Sequence, residues 1–203
     1  MGYYEVSLHL TWVLPYAGAL LSLLLMGIKR TKEYVACSML FISAASSTLL
    51  LISYLSFGAG EFSYPWVSSV GGNLEFNVDG LSAFMASLVA WLSSLIGLYS
   101  LKYMKGDPGV SRYWFFFDFF VGSMLLLVLS GNLILMFMGW EGTGLASYAL
   151  IGHWYRDDRS WVGDSGRKAL GVSMFFAPSH SGIRALVFTR AGDVGFIVGI
   201  ATL

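Results

Sequence analysis

Residues 113–155 read YWFFFDFFVGSMLLLVLSGNLILMFMGWEGTGLASYALIGHWY, and this stretch decides the class of fold. Its 43 residues include only two acidic side chains, Asp118 and Glu141, and no lysine or arginine. A helix that crosses a bilayer needs about 20 mainly apolar residues, so the stretch is long enough for two crossings. The sequence Ser130-Gly131-Asn132 is typical of a turn. We therefore predict one membrane span over 113–130 and another over 133–155.

The composition of the whole chain agrees with a membrane protein. Of 203 residues, 56% are hydrophobic, only 12% are charged, and the formal net charge is zero. Soluble domains carry about 25% charged residues, so this balance excludes a disordered tail and argues against a soluble globule. A neutral chain has no long-range field that would attract nucleic acid. The single cysteine, Cys37, excludes a disulfide framework and any multi-cysteine metal or iron–sulfur site.

Other long uncharged runs extend the pattern to about six spans. Each span must be helical, because lipid cannot satisfy the hydrogen bonds of an open strand edge. Glu5 precedes the first run and no lysine or arginine does, so we expect a span there and not a cleaved signal peptide. The sequence predicts an all-α, multi-pass transmembrane bundle forming a single membrane domain over 1–203, with spans near 6–28, 34–57, 80–101, 113–130, 133–155 and 183–203.

The basic residues alternate between the predicted loops. Eleven of the twelve lysines and arginines fall on every second connection, and the twelfth, Arg190, lies inside the sixth span. Basic loops face the cytoplasm, which places the N-terminus outside. The membrane is expected to be a prokaryotic cell membrane. The predicted cytoplasmic group comprises Lys29, Arg30, Lys32, Lys102, Lys105, Arg112, Arg156, Arg159, Arg167, Lys168 and Arg184.

Two loops are long enough to have structure of their own. The outer loop, 58–79, has acidic but no basic residues, and its segments 66–70 and 74–78 flank Gly71-Gly72-Asn73. That pattern is typical of a short β-hairpin, which we expect to cap the outer face. The cytoplasmic loop, 156–182, contains several glycines and is expected to be ordered only by its neighbours.

Glu141 is the strongest functional candidate. It lies nine residues after Asn132, so roughly 13 Å into the membrane at 1.5 Å per residue. A charged side chain at the centre of a bilayer costs about 3 kcal/mol on insertion scales, and such residues often relay protons. A protonated glutamate that is hydrogen-bonded to a neighbouring helix is the structural alternative.

Four other titratable residues lie inside or at the ends of the predicted spans. Arg190 and Asp193 are three residues apart and share one helix face. They are interpreted either as an ion pair that eases insertion into the membrane or as a charge-coupling pair. His153 is typical of an aromatic interfacial cluster, with proton uptake as the alternative. For Asp118, we expect its carboxyl group to reach toward the cytoplasmic interface.

Signals for a bound cofactor are absent from the sequence. There is no phosphate-binding loop, dinucleotide fingerprint or metal-ligand cluster. We therefore expect no cofactor and no metal in this chain. In a redox complex, NADH or another donor, iron–sulfur centres and quinone would belong to partner subunits.

Four segments of the sequence resemble a known family. Residues 128–152, VLSGNLILMFMGWEGTGLASYALIG, resemble the fifth-helix signature of the antiporter-like chain 5 (subunit L) family of NADH:quinone oxidoreductase, respiratory complex I. Residues 188–196, FTRAGDVGF, resemble its sixth helix. Residues 77–82 and 111–113 resemble the segments that enter its third and fourth helices.

The resemblance implies a proton-translocating membrane subunit. In that family the glutamate matching Glu141 pairs with a lysine on a broken seventh helix, which lies outside this chain. The residues matching Arg190 and Asp193 form a second charged cluster linked to coupling between subunits. This chain would then be the N-terminal part of a subunit of the oxidoreductase, without a redox centre of its own and beside other membrane subunits. The alternatives are a multi-subunit cation/proton antiporter, a membrane-bound hydrogenase subunit, or a structural scaffold that does not pump.

Overall fold

The computed structural model describes residues 2–28, 30–67, 72–157, 168–169, 172–173 and 177–202. These residues fall into two units, Met1–Thr143 and Gly144–Leu203, and the boundary lies inside the fifth helix. The elements follow one another as α1 (Gly2–Leu24), α2 (Thr31–Phe57), β1 (Gly60–Val67), β2 (Gly72–Val78), α3 (Gly80–Tyr103), α4 (Val110–Leu129), α5 (Leu133–Ile151), β3 (Lys168–Ala169), β4 (Val172–Ser173) and α6 (Pro178–Ala201).

Within the described ranges, five helices, α1 to α5, are long and apolar enough to cross a membrane. They correspond to the first five predicted spans, and with the hairpin they confirm the predicted fold class. The 24-residue helix α6 is confirmed as a helix, but Arg184, Arg190 and Asp193 lower its hydropathy. That α6 also crosses the membrane stays a prediction.

The first unit is built on close contacts between helices. α1 packs against α2 and α4, and α2 packs against α3. Small residues line these contacts, including Ala36 and Ala44 of α2 and Ala83 and Ala86 of α3, all fully buried. Such residues let helix backbones approach closely where no hydrophobic driving force exists between helices in lipid.

The connection between α4 and α5 is the predicted turn at residues 130–132. Asn132 accepts a hydrogen bond from the Leu135 backbone N–H at 2.8 Å, which satisfies a donor at the start of α5. The Gly131 N–H donates to the Glu75 carbonyl at 2.6 Å and fixes the turn to β2. α5 ends at Ile151, four residues before the predicted end of the span.

The predicted hairpin between the second and third spans is confirmed, with a longer first strand. β1 pairs with β2 in an antiparallel register that sets Gly60 opposite Val78 and Phe62 opposite Phe76. The first strand starts at Gly60 and not at Trp66, because residues 61–64 already alternate polar and aromatic side chains. Residues 68–71, part of the predicted strand and turn, lie outside the described residues.

The second unit contains the end of α5, the short β3–β4 pair and α6. α6 begins at Pro178, five residues before the predicted start of the sixth span, and Pro is favoured in the first turn of a helix. Asp157 accepts hydrogen bonds from the Ser179 hydroxyl at 2.5 Å and the Ser179 N–H at 3.1 Å. These bonds from Ser179 lower the pKa of Asp157. Most of the predicted 156–182 loop lies outside the described residues.

Candidate functional site

Glu141 is the ninth of the nineteen residues of α5, about 12 Å from the start of the helix at 1.5 Å per residue. Its side chain is half-buried in this chain. Two residues earlier, Gly139 brings α5 against the backbone of α4. A Cβ atom placed on Gly139 would lie 2.7 Å from the Leu127 nitrogen and 2.8 Å from the Ser123 carbonyl oxygen. The position of Glu141 is therefore set by direct backbone contact between α4 and α5.

A pair of hydroxyl groups lies beside this contact. The Ser123 hydroxyl of α4 touches the position of a Cβ on Gly142, the residue that follows Glu141. The same hydroxyl forms a hydrogen bond of 2.9 Å with the Tyr16 hydroxyl of α1. The Tyr16 ring covers Gly122, with ring atoms 2.9 to 3.0 Å from a Cβ placed there. Three helices of the first unit thus meet at polar side chains beside Gly142, the residue that follows Glu141.

Arg190 and Asp193 form an ion pair within α6. Nη1 of Arg190 donates to Oδ2 of Asp193 at 3.3 Å, and the side chains are 34% and 8% exposed. A Cβ placed on Gly144 of α5 would lie 3.5 Å from Nη2 of Arg190, so the guanidinium packs against the α5 backbone. The structure brings the predicted pair into contact; its role stays a prediction.

His153 follows the end of α5 and is half-buried. Its ring lies edge-on to the Trp154 ring, with the centroids 6.3 Å apart. This arrangement agrees with the aromatic cluster that the sequence predicts. Proton uptake by His153 stays a prediction.

The interpretation of Asp118 was wrong. Its side chain does not extend toward an interface but is fully buried, 0% exposed, where α4 faces α1. One carboxyl oxygen, Oδ2, occupies the space that a Cβ on Gly18 would take. The reason is azimuth: Asp118 shares one helix face with the buried residues Trp114, Val121 and Leu125, at helical spacing.

A polar cluster at the N-terminal end of α1 was not predicted from the sequence. Tyr64 of β1 donates to the Glu5 carboxylate at 2.5 Å, and its hydroxyl lies 2.9 Å from Nε2 of His9. Desolvation, followed by the bond and charge of Glu5, raises the pKa of Tyr64 to about 12. The i,i+4 spacing of Glu5 and His9 was the only sequence signal, because Tyr64 is 55 residues beyond His9. This cluster attaches the hairpin to α1.

Two family models match the chain. Residues 66–114 match the N-terminus of chain 5 of NADH-ubiquinone oxidoreductase (complex I), and residues 130–203 match the transmembrane region of the NADH:quinone oxidoreductase/Mrp antiporter family. Together these segments cover more than half of the chain. The second segment includes Glu141, Arg190 and Asp193.

Individual proteins similar to this chain come from the same families. The chain is 33% identical over 194 residues to NADH-quinone oxidoreductase subunit L of Escherichia coli K12, covering 92% of this chain and 29% of that protein. It is 32% identical over 209 residues to subunit L of Mycobacterium tuberculosis H37Rv, covering 97% and 30%. Among solved structures, the Mrp complex from Dietzia sp. DQ12-45-1b gives a TM-score of 0.68 at 23% identity, covering 96% of this chain and 19% of that chain.

The fold and these matches define an integral membrane protein of the antiporter-like class. Within that class, the chain belongs to the subunit L/chain 5 family of NADH:quinone oxidoreductase. It spans about three tenths of the length of these bacterial relatives and corresponds to their N-terminal part.

Proposed function

We propose that this chain contributes to proton translocation in an NADH:quinone-type oxidoreductase. The names of the relatives and the complex I family model support this proposal. Electron transfer takes place in other subunits, which hold the NADH site, the iron–sulfur centres and the quinone site. The chain then works beside further membrane subunits, in a prokaryotic cell membrane, with its N-terminus outside and its basic loops in the cytoplasm.

Glu141 is the proton-binding carboxyl group in this proposal. The observation that carries it is the position of Glu141 near the middle of an apolar helix, where Gly139 and Gly142 bring α5 into direct contact with α4. A carboxylate in that setting is costly unless it is protonated, paired or hydrated. A cation that approaches favours the ionised form and releases the proton, and its withdrawal allows a proton to bind again.

The Arg190–Asp193 pair is proposed as the coupling element. Arginine side chains stay protonated in proteins, so we expect the pair to change by movement. Such an ion pair can exist in two states. Either Arg190 pairs with Asp193, or one of the two residues pairs with another charged group, and the electric field around the pair differs between these states. We expect Asp193→Asn to reduce proton pumping more than electron transfer.

A cation/proton antiporter subunit is the second candidate. It is favoured by the shared family model and by the fold match to an Mrp complex. The two candidates differ in energy source. Membrane vesicles that pump protons only when NADH is oxidised by quinone support the oxidoreductase. Vesicles that exchange protons for sodium in an imposed sodium gradient, without NADH, support the antiporter.

The decisive experiment replaces Glu141 with glutamine in the assembled membrane complex. Glutamine keeps the size of the side chain but cannot carry the proton. We expect proton pumping, followed with a pH-sensitive dye in vesicles, to fall at least tenfold while the complex assembles normally. Glu141→Asp keeps a carboxyl group and should recover part of the pumping.

The matched control is Glu61→Gln, which changes an exposed glutamate of β1 in the same way. This control should pump normally. Undiminished pumping by a fully assembled Glu141→Gln complex would refute the role of Glu141 and favour the structural scaffold.

A further inference from the structure

The side chain of Asp118 is a second buried carboxyl group of the first unit. It is fully buried in α4, and neither Oδ1 nor Oδ2 has a hydrogen-bond partner among the described residues. Oδ2 fills the space left by Gly18 of α1, with the Met39 side chain of α2 beside the same point. A carboxyl group without donors in an apolar site is a poor place for a full negative charge.

Two hydroxyl groups of the surrounding helices bond to partners other than Asp118. The Tyr16 hydroxyl bonds to Ser123 at 2.9 Å, and the Tyr113 hydroxyl bonds to Ser100 of α3 at 2.7 Å. The Cys37 thiol of α2 lies within electrostatic range of Asp118 but is only a weak donor. No hydroxyl of this neighbourhood is therefore directed at the carboxyl group.

No cation of the described residues compensates the charge. Asp118 makes no ion pair with any described residue. The charged residues of α1, α2 and α3 lie near the ends of these helices, and α4 itself carries Arg112 six residues earlier. They are Glu5 of α1, Lys32 and Glu33 of α2 and Lys102 of α3; β2 and α5, which also contact α4, carry Glu75 and Glu141, which are acidic.

The occupant of this site must match that environment. A hard metal cation needs several oxygen ligands, six or more for calcium. Within the part of the chain that the structure describes, no group of three or more histidine, cysteine, aspartate or glutamate residues could hold a metal ion. A proton needs no further ligand, because a neutral carboxylic acid tolerates an apolar site far better than a carboxylate.

We propose that Asp118 is a second proton-binding site of this chain, and that it holds a proton in the packed arrangement of α1, α2 and α4. This proposal does not depend on the role of Glu141. Gly18 is part of the site, since only a residue without a side chain leaves room for the carboxyl group.

Infrared spectroscopy of the full chain in lipid tests the proposal. The difference spectrum between wild type and Asp118→Asn at neutral pH should contain the carbonyl band of a carboxylic acid, which shifts in D2O. The matched control, Glu61→Gln, removes an exposed glutamate and should give carboxylate bands instead. Adding sodium chloride should leave the Asp118 band unchanged.

Carboxylate bands assigned to Asp118, or bands that respond to sodium, would overturn the proposal in favour of an ionised or cation-bound group. A second variant keeps the test decisive if Asp118→Asn does not fold. Gly18→Ala places a methyl group against Oδ2 and should shift the acid band, whereas Gly2→Ala, with open space around it, should not. If the acid band does not shift in Gly18→Ala, the band does not come from Asp118 and the proposal is overturned.

Discussion

Replacing Gly139 with alanine tests the contact that positions Glu141. A Cβ at this position would lie 2.7 Å from the Leu127 nitrogen, 2.8 Å from the Ser123 oxygen and 2.9 Å from the Leu127 Cα. Favourable contacts between such atoms lie at about 3.5 to 4.0 Å. All three neighbours are backbone atoms, so no side chain can turn aside. α4 and α5 must therefore separate by roughly 1 Å.

The expected loss of stability follows from that displacement. Overpacking a tight interface costs about 1 to 3 kcal/mol. Alanine recovers up to about 1 kcal/mol, because glycine is the weaker helix former. The net result is a free energy of unfolding lower by up to about 3 kcal/mol, and about 1 to 3 kcal/mol below that of an alanine variant that gains the helix propensity without the clash. The measurement is denaturant unfolding of the full chain in detergent micelles, followed by circular dichroism.

The matched control is Gly199→Ala in α6, where nothing lies within 4 Å of the added Cβ. This variant should be neutral or more stable by up to about 1 kcal/mol, since only helix propensity changes. A Gly139→Ala chain that is as stable as the Gly199→Ala chain would refute the close contact between α4 and α5.

Two further predictions concern the cap of α3 and the topology. Asp79 accepts a hydrogen bond from the Ser82 N–H at 2.7 Å, and this bond lowers its pKa below the ordinary 3.8. Asp79→Ala should therefore cost about 1 kcal/mol at pH 7, and the difference should vanish as pH falls from about 4 through the lowered pKa; a difference independent of pH would contradict the cap. In a Cys37→Ser background, a membrane-impermeant maleimide should label Ser63→Cys from outside and Lys105→Cys from the cytoplasm; labelling of Ser63→Cys from the cytoplasm would reverse the orientation.

The positions of the helices were predictable because charges mark where a span must stop. The predicted third span, 80–101, nearly equals α3, since Asp79 caps its start and Lys102 marks its end. α6 was harder to delimit, because Arg184 and Arg190 lie inside the helix and obscure its apolar pattern. The start at Pro178 depended on local backbone geometry more than on hydropathy.

The candidate site was only partly predictable, and Asp118 shows why. Its distance along the sequence from Arg112 gives a height in the membrane, about 9 Å at 1.5 Å per residue. Height does not say which side of the helix the residue occupies. The spacing to Trp114 and Val121 contained that information, but the sequence could not tell that α1 would present Gly18 at the same level.

Asp118 of α4 and Glu141 of α5 are two carboxyl groups that differ in their exposure within this chain. Asp118 is fully buried and has no donor within reach, so its proton can leave only if the packing of α1 and α2 against α4 opens. Glu141 is only half-buried within this chain, so its side chain is more accessible than that of Asp118. Burial therefore suits Asp118 to retain a proton and Glu141 to exchange one. In the proposed function, Glu141 is the group whose occupancy a moving charge changes during turnover.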